Sequence, residues 1–149
     1  MDYPTRDTSL IGAAGVHFVV SELSLRGLIA LPTIRNTAGV DVIVSNNRGS
    51  WRANLQVKTS RSKVTFWPVG KKYAEWISER NYYVFLRYDA KKNGFDVFIE
   101  TSQQVADCVR LSQEDEMRKG IKPWAPCFNP KGELDSLREK WAKFGLDVS

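Results

Sequence analysis

The chain has 149 residues, 42% hydrophobic and 26% charged, an ordinary globular balance that excludes disordered and fibrous classes. Its formal net charge is +5, and the excess lies in residues 1–100, which hold 14 Lys/Arg against 9 Asp/Glu, while residues 101–149 hold 8 of each. Such a field suits a polyanionic partner and equally serves solubility. No apolar run approaches the roughly 20 residues that cross a bilayer, and the N-terminus carries no signal-peptide pattern. Cys108 and Cys127 fit no zinc or redox spacing, so buried thiols in a reducing compartment are expected. The expectation is one cytoplasmic domain over 1–149 with no membrane partner.

Asp7 or Thr8 can cap a helix running to about Arg26, with Gly27 as its stop. Leu10, Ile11, Val16, Val19, Val20 and Leu23 recur at helical spacing, and the small residues Gly12 to Gly15 permit close packing. Leu28–Pro32 reads as a short strand and Thr33–Ala38 as a polar loop. Gly39–Val44 and Leu55–Ser60 flank the turn chemistry of Asn46–Ser50 and predict a hairpin. Val64–Val69 is a further short apolar run, and Lys71–Glu79 reads as a short helix with Tyr73, Trp76 and Ile77 on one face. Tyr82–Tyr88 and Phe95–Glu100 predict a second hairpin around Asp89–Gly94. Ser102 is placed as the cap of a helix that extends or restarts through Lys119. Residues 120–132, rich in proline and glycine, read as irregular surface, and Glu133–Phe144 as a closing amphipathic helix. The order predicts an α/β fold, a central mixed β-sheet flanked by helices.

The first hairpin carries the chemistry. Asp41 falls early in its first strand, while Gln56 and Lys58, two apart in the second, share a face and Val57 points away. A carboxylate, an amide oxygen and a lysine at one sheet edge are the parts needed to hydrolyse a phosphodiester with magnesium, which prefers oxygen ligands and retains waters. Asp41 would anchor the metal, with Gln56 and the Val57 backbone carbonyl as further ligands and Lys58 orienting the attacking water or stabilising developing charge. In this reading Asp41, Gln56 and Lys58 are the catalytic set, and Ser60, Arg61 and Lys63 beyond it contact nucleic acid. Each has a plainer alternative. Asp41 could be a strand-end residue satisfied by backbone donors, Gln56 and Lys58 a solvated strand face, and Arg61 and Lys63 solvated cations. The sole histidine, His17, reads as a packed or surface side chain beside apolar neighbours. Trp51, Phe66 and Trp67 stack on bases or fill a core, and Lys71-Lys72 and Lys91-Lys92 read as solvated turn charges.

Gly39-Val40-Asp41 with Gln56-Val57-Lys58 resembles the core of the PD-(D/E)xK nuclease superfamily. The form with glycine before the aspartate and glutamine in place of glutamate is similar to the methylation-dependent restriction endonuclease type. The resemblance covers residues 10–105 and implies a restriction-endonuclease-like sheet, a magnesium (or manganese) cofactor and a DNA substrate. Residues 120–149 form a C-terminal extension outside it. One departure stands out. The resemblance implies a glutamate on the first helix, where this chain has Val16, and Glu22 lies about 240° further around the helix. Three functions follow: a magnesium-dependent DNA endonuclease, a catalytically weakened nuclease-fold module binding nucleic acid or a protein, and a structural accessory protein. Each leaves room for a homodimer.

Overall fold

The computed structural model describes residues 7–34, 39–61, 63–123 and 125–144; most of the expected polar loop, 35–38, lies outside them. Helix α1 spans Thr8–Leu25. Asp7 is its cap, with a side-chain oxygen accepting from the Ser9 N–H at 2.8 Å. Ile11, Gly15, Val19 and Leu23, four apart, form its buried stripe. By length and composition α1 is apolar enough to cross a membrane, with mean hydropathy 1.4, which corrects the expectation that no run comes near that reach. Its buried stripe is covered by the sheet.

The strands are β1 (Ile29–Pro32), β2 (Val42–Ser45), β3 (Arg52–Ser60), β4 (Trp67–Pro68), β5 (Asn81–Asp89), β6 (Gly94–Thr101) and β7 (Cys127–Phe128). Five of them form one sheet in the order β1-β2-β3-β5-β6, and β4 pairs with β7 separately. β3 and β5 are parallel, while β1–β2, β2–β3 and β5–β6 are antiparallel. The mixed sheet and both predicted hairpins are therefore present.

Both faces of the sheet are covered, so β5, paired on both sides, reads as a continuous apolar run rather than an alternation. In β5, Val84 and Leu86 join Val19, Leu23, Val42, Leu55 and Ile99 under α1, while Tyr83 and Phe85 join Trp67, Phe98, Val105 and Phe128 on the other face. The second face is closed by helix α2 (Ser102–Arg118). Its cap is Thr101, which accepts from the Gln104 N–H. Ser102 instead exchanges hydrogen bonds with the Ser78 backbone, accepting at 3.0 Å and donating at 2.9 Å.

Three other expectations are corrected. Residues 71–76 form turns, not a helix, held by Glu75 N–H to Lys72 O (3.0 Å) and Trp76 N–H to Tyr73 O (3.3 Å). Tyr73 and Trp76 still reach the core, whereas Ile77 is exposed. The 120–132 segment is not all irregular surface, because Phe128 is buried and pairs with Trp67. The closing helix is two 3-10 turns, Lys131–Leu137 and Trp141–Phe144. Between them Arg138 is extended and Glu139 has φ +55°, a conformation no α-helix contains. Cys108 and Cys127 are free, half-buried thiols whose pKa values burial pushes up.

Candidate functional site

Asp41 stands one residue before β2 rather than inside it. It is held on both sides: its N–H donates to the Leu55 carbonyl at 2.8 Å, and its carbonyl accepts from the Thr33 N–H at 2.9 Å. β3 continues past this point, where β2 has ended. Backbone polar groups alternate in direction along a strand, so Val57, like Leu55, turns its N–H and carbonyl toward the β2 side. The Val57 N–H donates to Asp41 Oδ2 at 2.7 Å. The Val57 carbonyl projects the same way. The plain reading of Asp41, a carboxylate satisfied by a backbone donor, accounts for one of its oxygens.

The β3 backbone divides two clefts. One, of about 570 Å³, lies against α1 and is lined by Asp41, Val57, Val40, Thr33, Val16 and His17 among others. The other, of about 460 Å³, is lined by Gln56, Lys58, Gly39, Trp76, Tyr83 and the Lys71–Tyr73 turn. The expected convergence is thus distributed. Asp41 and Val57 meet in one cleft, and Gln56 and Lys58 share the other. Lys58 and Asp41 nevertheless feel each other. Burial holds the Lys58 ammonium below the ordinary lysine range, and the Asp41 charge opposes that shift.

Gly39 lies in the wall of the second cleft, just before Val40 and Asp41 of the first. Its φ is +73°, and a Cβ there would lie 3.1 Å from the Trp76 indole nitrogen and 3.8 Å from the Gln56 side-chain nitrogen. Both the left-handed backbone and the close ring favour glycine. This is a local reason for the glycine two residues before Asp41.

The remaining expected residues fall elsewhere. Ser60 ends β3 opposite Arg87. Arg61 and Lys63 are exposed, and neither they nor Ser60 line either cleft. Hydrogen bonds from the Ser9 backbone and hydroxyl hold the Asp7 carboxyl below its usual range, with Arg61 adding to the effect. Val16 lines the Asp41 cleft, in the region where the resemblance implies a glutamate. Glu22 pairs with Arg26 at 2.7 Å and Glu100 with Lys143 at 2.7 Å, and neither lines these clefts. His17 is exposed and lines the Asp41 cleft. Of the aromatics, Trp67 is core and donates its indole N–H to the Leu86 carbonyl at 3.0 Å. Trp51 packs against the α1-side core, and Phe66 is exposed. Sequence reasoning missed Lys71, Lys72, Tyr73, Glu75 and Trp76 as cleft residues. The available signal was a Lys-Lys pair followed by aromatics directly after Gly70.

Among the described residues, no three His, Cys, Asp or Glu side chains gather as a metal cage. The Asp41 carboxylate and the Val57 carbonyl are hard oxygens on one side of β3, a donor set that fits a divalent cation retaining most of its waters. It does not fit a tetrahedral nitrogen–sulfur site.

No protein-family model matches the chain, and no curated protein matches it. Among solved structures, a bacterial homing endonuclease, I-Ssp6803I, superposes with a TM-score of 0.56 over 92% of this chain and 90% of that one, at 12% identity. A nuclease from a fusselovirus gives 0.41 over 75% of this chain and 78% of that one, at 12% identity. The fold, a mixed sheet flanked by helices, is one that a homing endonuclease also has.

Proposed function

We propose that this protein is a nuclease that hydrolyses DNA phosphodiester bonds with a magnesium ion, in the manner of the PD-(D/E)xK superfamily. The observation that carries the reading is the Asp41 carboxylate seated on the Val57 N–H where β3 outruns β2, with Lys58 within its field. That pairing answers to the Gly39-Val40-Asp41 and Gln56-Val57-Lys58 pattern, and the fold shared with a homing endonuclease accords with it.

Asp41 and the Val57 carbonyl would hold the metal, while Gln56, expected as a further ligand, stands in the neighbouring cleft beside Lys58. When bound, the metal supplies Lewis-acid stabilisation of charge on the scissile phosphate. The Val57 N–H fixes the Asp41 carboxylate in place, so little reorganisation is needed when substrate arrives. Lys58, held beside that position on β3, would orient the attacking water or stabilise developing charge on the phosphate. Ser60 at the end of the same strand, with Arg61 and Lys63 just beyond it, would contact the DNA backbone.

Purified protein is expected to nick supercoiled plasmid with magnesium, with Asp41→Ala and Lys58→Ala each lowering the rate at least about 100-fold. Equal cleavage in all three preparations overturns the assignment. A second reading has its own support: with Val16 on the helix and Glu22 and Glu100 tied into ion pairs, Asp41 is, among the described residues, the sole carboxylate lining its cleft. Under that reading the protein is a nuclease-fold module that binds nucleic acid without strong catalysis. Salt-sensitive DNA binding without nicking selects it.

A further inference from the structure

We propose that the Gly70–Trp76 turn is a second phosphate-binding element, in which Lys71 and Lys72 hold a DNA backbone phosphate next to the scissile one. This rests on the nuclease reading above and extends it to residues outside the hairpin.

Lys58, Lys71 and Lys72 line the same cleft together with Tyr73, Trp76 and Tyr83. Ammonium groups beside flat aromatic walls are the chemistry that tracks a nucleic-acid strand. Glu75 also lines this cleft and is, among the described residues, its one carboxylate against three lysines, so the local field favours an anion. Among the described residues, neither Lys71 nor Lys72 takes part in an ion pair.

The turn is also firmly seated. The Trp76 carbonyl accepts from Asn81 Nδ2 at 2.7 Å, and its ring meets Tyr83 edge-on at 5.0 Å. Tyr73 donates its hydroxyl proton to Gln113 at 3.3 Å, and the Val69 N–H donates to the Pro126 carbonyl at 3.0 Å. Backbone fixed before binding reduces the ordering cost of each contact. Finally, the cleft adjoins the site. Lys58 stands in it, and Gly39, in its wall against Trp76 and Gln56, is two residues before Asp41. A strand whose backbone reaches Lys58 therefore passes the Lys71–Lys72 turn.

The test is binding without cleavage. A short fluorescent DNA duplex is titrated with protein in EDTA at several salt concentrations, using wild type, the Lys71→Ala/Lys72→Ala double variant and a charge-matched control, Lys122→Ala/Lys140→Ala. Both pairs are exposed, so folding is unaffected, which circular dichroism checks. The first double variant is expected to weaken binding about tenfold or more, equally across sequences. Its slope of log affinity on log salt should be shallower by about 2, one per lost phosphate contact. A double variant indistinguishable from the control, while wild type binds, overturns the clamp and leaves the nuclease reading intact. Wild type without salt-dependent DNA binding overturns both.

Discussion

Asp96 shows how much one buried residue can do away from the cleft. It is almost fully buried, and burial alone would push its pKa up. Hydrogen bonds from Lys92 and from Arg87 (2.8 Å) more than offset this and hold the carboxyl at about 2. Arg138 adds a third cation at 3.1 Å. A folded-state pKa below the unfolded value of about 3.9 means stability that is present above about pH 4 and lost as pH falls toward 2. The difference corresponds to roughly 2–3 kcal/mol. Urea midpoints measured at falling pH should show the wild-type advantage over Asp96→Asn shrinking across that window. A pH-independent difference would mean that the ion pairs do not set the carboxyl's pKa.

At the scale of elements, the approach of α1 to β3 positions the Asp41 cleft, and a glycine permits it. A Cβ on Gly15 would sit 2.3 Å from Thr59 Oγ1 and 3.0 Å from a Leu86 methyl, well inside contact distance. Thr59 is β-branched and stiff at χ1, so it turns aside only at a cost. A Cβ on Gly12, one turn earlier on the same helix, would meet no described atom within 4 Å. The helix gains about 1 kcal/mol from alanine at either site, but overpacking costs about 1–3 kcal/mol. Gly12→Ala should therefore raise the melting temperature and Gly15→Ala lower it. Thermal denaturation of the two variants, differing only in position, measures this directly; a rise in both would show that the helix can shift off β3 at no cost.

Across the whole molecule, the C-terminal segment is part of the domain. Leu134 and Leu137 enter the α2-side core, and Trp141 and Phe144 enter the α1-side core. The crossing occurs at the sheet edge, where Arg138 bridges Phe98 and the Glu139 N–H donates to the Val97 carbonyl at 2.9 Å. The segment thus straps β6 and covers an edge that would otherwise be open to pairing. Phe144 is fully buried and meets Tyr82 edge-on at 5.1 Å. Phe144→Ala is expected to cost about 3–5 kcal/mol, read as a lower urea midpoint. An unchanged midpoint would make the segment a detachable appendage.

Local pattern determined a good part of this protein. Alternation and turn residues specify both hairpins, a cap and a four-residue stripe specify α1, and the spacing of Gln56 and Lys58 puts them on one face. These follow from interactions between residues close in the chain. Local pattern failed at 71–79 and 133–144, where helical spacing occurs without a helix, because tertiary packing overrode periodicity: Tyr73 and Trp76 reach the α2-side core from turns, and 133–144 crosses between the two cores. It also placed Asp41 inside a strand and in one pocket with Gln56 and Lys58. Only the tertiary structure decided that β3 outruns β2, that its backbone separates Asp41 from Gln56 and Lys58, and that Lys71 and Lys72 come alongside Lys58. Those relations depend on where strands end relative to one another and on how a distant turn packs, which no short window of sequence encodes.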